Sequence, residues 1–241
     1  METQYPGTLI AVEGGDGAGK STLCKSLTQE LQDMGHEVVR TSDFTATPLG
    51  ADVKSIFLNP EKEDIDPFVE GLLINAARRQ HALNVIEPAL KAGKIVIADR
   101  YTLSTIAYQG YARGGDAFNL YQVENMAVPA SCKPHLTLYL NVEPTVGLER
   151  VSDRGMPFDK NELKGTEFQI RCRTGFAIEL ARREDMIEPV LSTLWGGDGK
   201  HSYVTAYEHI DAMAEPSKVL AQALTAVKVH LTGGKVSVGE S

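Results

Sequence analysis

The sequence predicts an α/β fold, a parallel β-sheet covered by helices on both faces, and three observations predict it. Short β-rich runs alternate with helical stretches. The runs are apolar along their length, as strands buried on both faces are. The first of them leads through a glycine-rich loop directly into a helix. That first run is Thr8–Glu13 (TLIAVE). Lys20–Met34 follows, with Leu23, Leu27, Leu31 and Met34 at helical spacing on one face, and Gly35 stops it. His36–Thr41 reads as the second strand, and Pro67–Ala92 as a long helix that Gly93 caps. Lys94–Ala98 (KIVIA) is the third strand and runs out on Asp99 and Arg100. His135–Val142 is the fourth, and Tyr203–Tyr207 a weaker fifth. Right-handed crossovers then give a three-layer sandwich with a five-stranded parallel sheet flanked by helices.

The chain has 241 residues and 42% hydrophobic content, ample for a buried core, with no internal repeat or low-complexity tract. Its formal net charge of -8 disfavours binding to nucleic acid or an anionic membrane. Cys24, Cys132 and Cys172 lie far apart at no metal-binding spacing and read as reduced thiols. The N-terminal METQYPGTLIAVEGG lacks a basic segment followed by a long apolar one, so a cytoplasmic protein is expected. Residues 1–231 are expected to form one domain. Residues of about 150–168, rich in charge, glycine and proline without a clean period, read as a mobile lid. The small, polar residues 232–241 read as a flexible tail.

GGDGAGKS, residues Gly14–Ser21, matches the glycine-rich phosphate loop, with a strand before it and a helix after it. Gly14, Gly15, Gly17, Ala18 and Gly19 let successive backbone N–H groups face a phosphate at the positive end of the helix. Lys20 supplies a charge that can follow a transferred phosphoryl group. Ser21 is suited to a Mg²⁺ ligand, and Thr22 completes the loop. The pattern predicts a P-loop NTPase fold that binds ATP with Mg²⁺. A second signal is Asp99-Arg100 at a strand end, where ligands of open α/β sheets bind. An Asp there can order Mg²⁺ or its waters, and an Arg can fork onto a phosphate. Ser104, Thr105 and Gln109 follow as polar groups suited to a nucleobase.

With these motifs, the block IADRYTLSTIAYQG, the stretch AARRQ at Ala76–Gln80 and PHLTLYLNVEPTVGLERV at Pro134–Val151, the sequence resembles the thymidylate kinase family from about Leu9 to Phe176. The resemblance implies transfer of the ATP γ-phosphoryl group to dTMP. It implies that Asp16 contacts the acceptor 3′-hydroxyl, that Arg78 and Gln109 bond the thymine ring and that Arg100 holds the acceptor phosphate. Thr105 and Tyr108 would line the sugar and base pocket, and Glu13 and Asp99, with Ser21, would serve the metal. Gly17 stands where some members carry a catalytic arginine, so Arg154, or second Arg150, is expected to supply it from the lid. A homodimer packed through the long helix, with an apolar face within Leu72–Leu90, is implied too.

Two positions depart from the family pattern. Ser42 replaces an acceptor-phosphate arginine, a bond worth roughly 1.5–3 kcal/mol. Arg79 is a substitute only if it faces the same ligand as Arg78, and adjacent helical residues point about 100° apart. Ile74 stands where an aromatic side chain covers the base, and Phe44 is a candidate either to cover the base or for the core. The residues therefore leave open a modified pyrimidine or a broader set of deoxynucleoside monophosphates as acceptor. A deoxynucleoside kinase with Glu13 as base, and an ATP-binding homologue without turnover, are the other readings.

Overall fold

The computed structural model describes residues 5–59, 63–185 and 205–232. Tyr203 and Val204 of the expected fifth strand and residues 233–241 of the expected tail lie outside them. Five parallel strands, β1 (Thr8–Gly14), β2 (Val38–Ser42), β3 (Ile95–Asp99), β4 (Leu136–Asn141) and β5 (Ala206–Asp211), form one sheet in the order β2-β3-β1-β4-β5. Register pairs Val12 with Asp99 and Glu13 with Tyr139, so the carboxyl ends of β1, β3 and β4 come out together. The fifth strand starts at Ala206, later than the Tyr203–Tyr207 expected. As an outer strand it is only partly covered, with Glu208, His209 and Asp211 between or beside buried Ile210, so its polar residues hide it from a search for apolar runs.

Alternate residues of each strand face opposite helical layers. Ile10, Val12, Ile97 and Leu138 pack with Leu23, Leu27 and Leu31 of α1 (Lys20–Asp33) and with Val219, Ala223 and Val227 of the C-terminal helix. Leu9, Ala11, Val96 and Ala98 pack on the other side against Ala82, Ile86 and Leu90. After β2 come α2 (Pro48–Phe57) and α3 (Pro67–His81), which pack on each other, each opened by a proline and a side-chain cap, Thr47 and Asp66 respectively. α3 continues through a π-helical turn, Ala82–Ile86, into α4 (Glu87–Lys91), close to the single long helix expected. Next come α5 (Thr102–Thr105), which passes into a second π-helical stretch, Ile106–Ala112, then α6 (Ala117–Ala127), α7 (Pro144–Asp153), α8 (Gly165–Asp185) and α9 (Pro216–Leu231). Of the expected lid, 150–153 close α7 and 165–168 open α8, leaving 154–164 as a connection with one 3₁₀ turn. Asp159 accepts from the backbone N–H groups of Asn161 and Glu162, and Glu162 accepts from that of Asp159, which ties the connection into a turn. The three cysteines are free and buried.

Candidate active site

A cleft of about 820 Å³ opens at the carboxyl ends of the strands. On the β2 and β3 side it is lined by Ser42, Phe44, Ile74, Arg100, Thr105, Tyr108 and Gln109. Past β5 it is lined by Ala212, Ala214 and Leu220, and the phosphate loop after β1 lies between the two groups. Arg150, Arg154, Asp159, Asn161 and Glu162 border it from α7 and the connection to α8.

Gly14, Gly17 and Gly19 hold positive φ angles in the loop. Lys20 folds back so that Nζ donates to the Gly15 carbonyl, and the Ser21 hydroxyl donates to Asp99 Oδ2. Burial, reinforced by the Arg100 charge and opposed by Asp16, Asp99 and Glu13, pulls the Lys20 ammonium down to about 8. A Cβ built on Gly17, whose φ is 72°, would lie 2.0 Å from the carbonyl oxygen of Gly147 in α7. The loop is packed so closely on α7 that no side chain fits at position 17.

Arg100 holds a left-handed φ of 68° in the turn from β3 into α5. Its Nη1 donates to the Gly14 carbonyl (2.9 Å), and its Nη2 donates to Asp16 Oδ1 and to the Tyr108 hydroxyl (3.1 Å). Its guanidinium lies over the Tyr108 ring, 4.9 Å from the centroid. Asp16 also accepts from the Tyr108 hydroxyl (2.8 Å) and from Gln169 Nε2 (2.7 Å). Burial opposes its charge, but the Arg100 and Lys20 charges and the bonds from Tyr108 and Gln169 outweigh it and hold the carboxyl below its ordinary value. Asp16 is thus an ionised acceptor fixed from three sides, in the same loop as Lys20.

Arg78 is fully buried, and the cavity walls do not include it. Its Nε and Nη2 fork onto Asp43 at 2.9 and 2.8 Å, Nη1 donates to Asn75 (3.2 Å), and Nη2 also donates to the Tyr101 carbonyl (3.2 Å) and Thr105 Oγ1 (2.8 Å). Arg78, expected to contact the base directly, here reaches the cleft through Thr105. Since the Thr105 oxygen accepts from Arg78, its own hydrogen is left for the cavity. Glu13, expected to serve the metal, is likewise held by groups of the protein. It is 1% exposed, and its oxygens accept from the Tyr101 and Ser104 backbone N–H groups and from the Ser104 hydroxyl. Burial pushes its carboxyl up despite the Ser104 bond and the Arg100 charge. It braces the turn after β3 and is absent from the cleft walls.

A sequence model of the family described as thymidylate kinase matches residues 12–190. The chain belongs to the thymidylate kinase family. Among similar proteins, a thymidylate kinase of Pelotomaculum thermopropionicum is 42% identical over 176 residues, covering 73% of this chain and 81% of that one. One of Syntrophotalea carbinolica is 40% identical over 180 residues (73% and 82%), and one of a Geobacillus species 36% over 178 (73% and 84%).

Against the thymidylate kinase pattern, the two departures acquire a structural context. Ser42 bonds Thr45 through their hydroxyls (2.8 Å), and Lys54 of α2 lines the same cavity, a cation that sequence reasoning missed. Arg79 is not the substitute, because its Nη1 donates to the Ala127 carbonyl at the end of α6 (2.8 Å). Phe44 packs with Ile74, Val53 and Ala77 and also lines the cleft. Arg150 donates to the Ala212 carbonyl (2.9 Å), bridging α7 to the chain after β5. Arg154 is held by Glu162 through two contacts of 3.0 and 3.1 Å beside the cleft. Arg171 and Arg173 are turned to Ala112 and Asn141 and do not line it.

Gln169 and Asp43 were also missed. Gln169 lies in a helix whose sequence offers no signal beyond a polar residue, and Asp43 only gains meaning once Arg78 is seen to need a partner. Among the described residues no group of three or more His, Cys, Asp or Glu side chains is placed to hold a metal. The adjacent Ser21 hydroxyl and Asp99 carboxylate form a two-oxygen donor set, which fits Mg²⁺, an ion that takes few protein ligands and completes its shell with phosphates and water.

Proposed function

We propose that this protein phosphorylates dTMP to dTDP with ATP. The observation that carries the reading is Asp16: one loop residue is bonded to Arg100, Tyr108 and Gln169 on the acceptor side, four residues before Lys20 of the Lys20-Ser21 phosphate site. Thymidylate kinase membership supplies the substrate class. ATP would lie with its phosphates on the backbone N–H groups of Gly17–Thr22 and its base toward Ala212, Ala214 and Leu220, beside Arg150. The dTMP phosphate would meet Arg100 and Lys54, its sugar Asp16 and Tyr108, and its base Thr105, Gln109, Ile74 and Phe44.

Ser21 and Asp99 would hold Mg²⁺, which neutralises phosphate charge and so lowers the repulsion between donor and acceptor. The acceptor phosphate is already ionised near neutral pH, so no strong base is required, and catalysis consists of alignment and charge compensation by Lys20, Arg100 and Arg154. Arg154 is the lid cation nearest that role, released from Glu162 onto the transferring group. Val69, Leu72 and Leu83 stand exposed on the long helix and support a homodimer, although Ile86 and Leu90 of the expected face belong to the core. No helix among the described residues is long and apolar enough to cross a membrane; a cytoplasmic setting accords with the substrates.

The test is ADP release across dTMP, dUMP, 5-hydroxymethyl-dUMP, dCMP, dGMP and thymidine. The expected result is highest kcat/KM with dTMP. Preference for thymidine, equal turnover of purine and pyrimidine monophosphates, or ATP binding without turnover would each overturn the assignment.

A further inference from the structure

Gln109 lies in the π-helical stretch after α5 and lines the cleft, and a carboxamide at a base pocket has two opposite faces to offer. Turned one way it presents an acceptor, turned the other way a donor. Thymine and uracil carry a ring N–H at position 3, where cytosine carries a bare nitrogen. The direction of this amide therefore decides which pyrimidines it accepts.

The direction is set behind the pocket wall. Gln109 Nε2 donates to Glu70 Oε2 (3.2 Å). Glu70, on the first turn of α3, is 1% exposed. Its other oxygen accepts from Arg113 Nη1 (2.8 Å), in an ion pair whose side chains are 5% and 1% exposed. Arg113 is anchored in turn by the Ile65 carbonyl (2.6 Å) and Asp64 (3.1 Å). A carboxylate paired in this way only accepts hydrogen bonds, so it takes the amide N–H and cannot tolerate the amide oxygen in its place. Reversing Gln109 would set oxygen against oxygen in a buried site and leave Glu70 short of a donor. The Gln109 Oε1 is thereby the atom left to meet a ligand.

We propose that Glu70, held by Arg113, is a positioning residue that locks the Gln109 amide with its oxygen toward the acceptor base, and that this lock selects bases bearing a ring N–H over cytosine-type bases. The proposal rests on the dTMP kinase reading and assigns the discrimination to two residues that do not touch the substrate. Glu70→Gln is nearly isosteric; with its oxygen kept on Arg113, its NH₂ faces Gln109 and can only donate, which favours the reversed Gln109 amide.

The experiment measures kcat/KM for dTMP and for 5-methyl-dCMP, which differ only at positions 3 and 4 of the ring, in the wild type and in Glu70→Gln. The ratio is expected to fall about tenfold, in line with one hydrogen bond, with the KM for ATP unchanged. Glu70→Asp keeps an acceptor-only group and is expected to retain most of the ratio even where its overall efficiency drops. Arg113→Gln, which loosens Glu70 while leaving it in place, is expected to lower the same ratio and serves if the Glu70 variants do not fold. A merely structural role would lower both substrates equally; an unchanged ratio in a folded Glu70→Gln protein, or a wild type that uses both nucleotides equally well, overturns the proposal. A wild type that turns over neither nucleotide refutes instead the function on which it rests.

Discussion

Asp43→Ala should destabilise the protein far more than a loop substitution does. Asp43 sits just after β2, yet its side chain is 7% exposed and receives two charge-assisted bonds, of 2.8 and 2.9 Å, from an Arg78 that is 0% exposed. Without the carboxylate, Arg78 keeps only the neutral acceptors of Asn75, Tyr101 and Thr105 for a full buried charge. Removing one partner of such a pair costs about 3–5 kcal/mol. For a chain of this size each kcal/mol is about 2–4 °C, so the melting temperature should fall by roughly 6–20 °C. Replacing both partners, Asp43→Ala with Arg78→Met, removes the stranded charge and should recover much of the loss. Urea unfolding of the nucleotide-free protein, followed by far-UV circular dichroism, measures Asp43→Ala, Arg78→Met alone and the double variant. A single-variant cost below about 1 kcal/mol, or a double variant as unstable as the sum of the singles, would refute the reasoning. Because Arg78 also orients Thr105, the folded fraction of Asp43→Ala should show a raised KM for dTMP.

Three further outcomes follow from the site. Arg154→Ala should lower turnover by about 10³-fold, as loss of an arginine finger does, with ADP affinity by titration calorimetry nearly unchanged; full turnover would remove it from the mechanism. With Lys20 at about 8 in the nucleotide-free protein, its charge is present below that pH and lost above it, while bound phosphates favour the charged form. ATP binding should thus take up a proton above pH 8, and Kd should rise by up to about tenfold per pH unit there; a Kd constant from pH 7 to 9 would contradict this. Gly17→Ala should cost at least about 1–2 kcal/mol from its left-handed backbone alone, and more from the overlap with Gly147, visible as a lower melting temperature and weaker ATP binding. Wild-type stability in that variant would show that the loop and α7 can part at little cost.

Periodicity and local motif determine much of this protein. Apolar runs and glycine stops place β1 to β4 and α1 within a few residues, because burial on both faces and chain reversal leave compositional marks on the segment itself. The phosphate loop is legible for the same reason: its backbone N–H groups belong to one contiguous stretch. β5 is displaced because an outer strand need not be apolar. The partners that hold Glu13 and Arg78 could not be read from sequence, because they lie 35 to 91 residues away, at Asp43, Tyr101 and Ser104. Local sequence carries no trace of which distant group will neutralise a buried charge. Gly17 shows the division at one residue: its missing side chain can be read directly from the chain, but that the carbonyl of Gly147 forbids one is a fact of packing between β1's loop and α7. The sequence determined which loop is shaped for phosphates; only the tertiary structure decided which polar groups stay free to meet a ligand, because each buried donor or acceptor must first be satisfied within the fold.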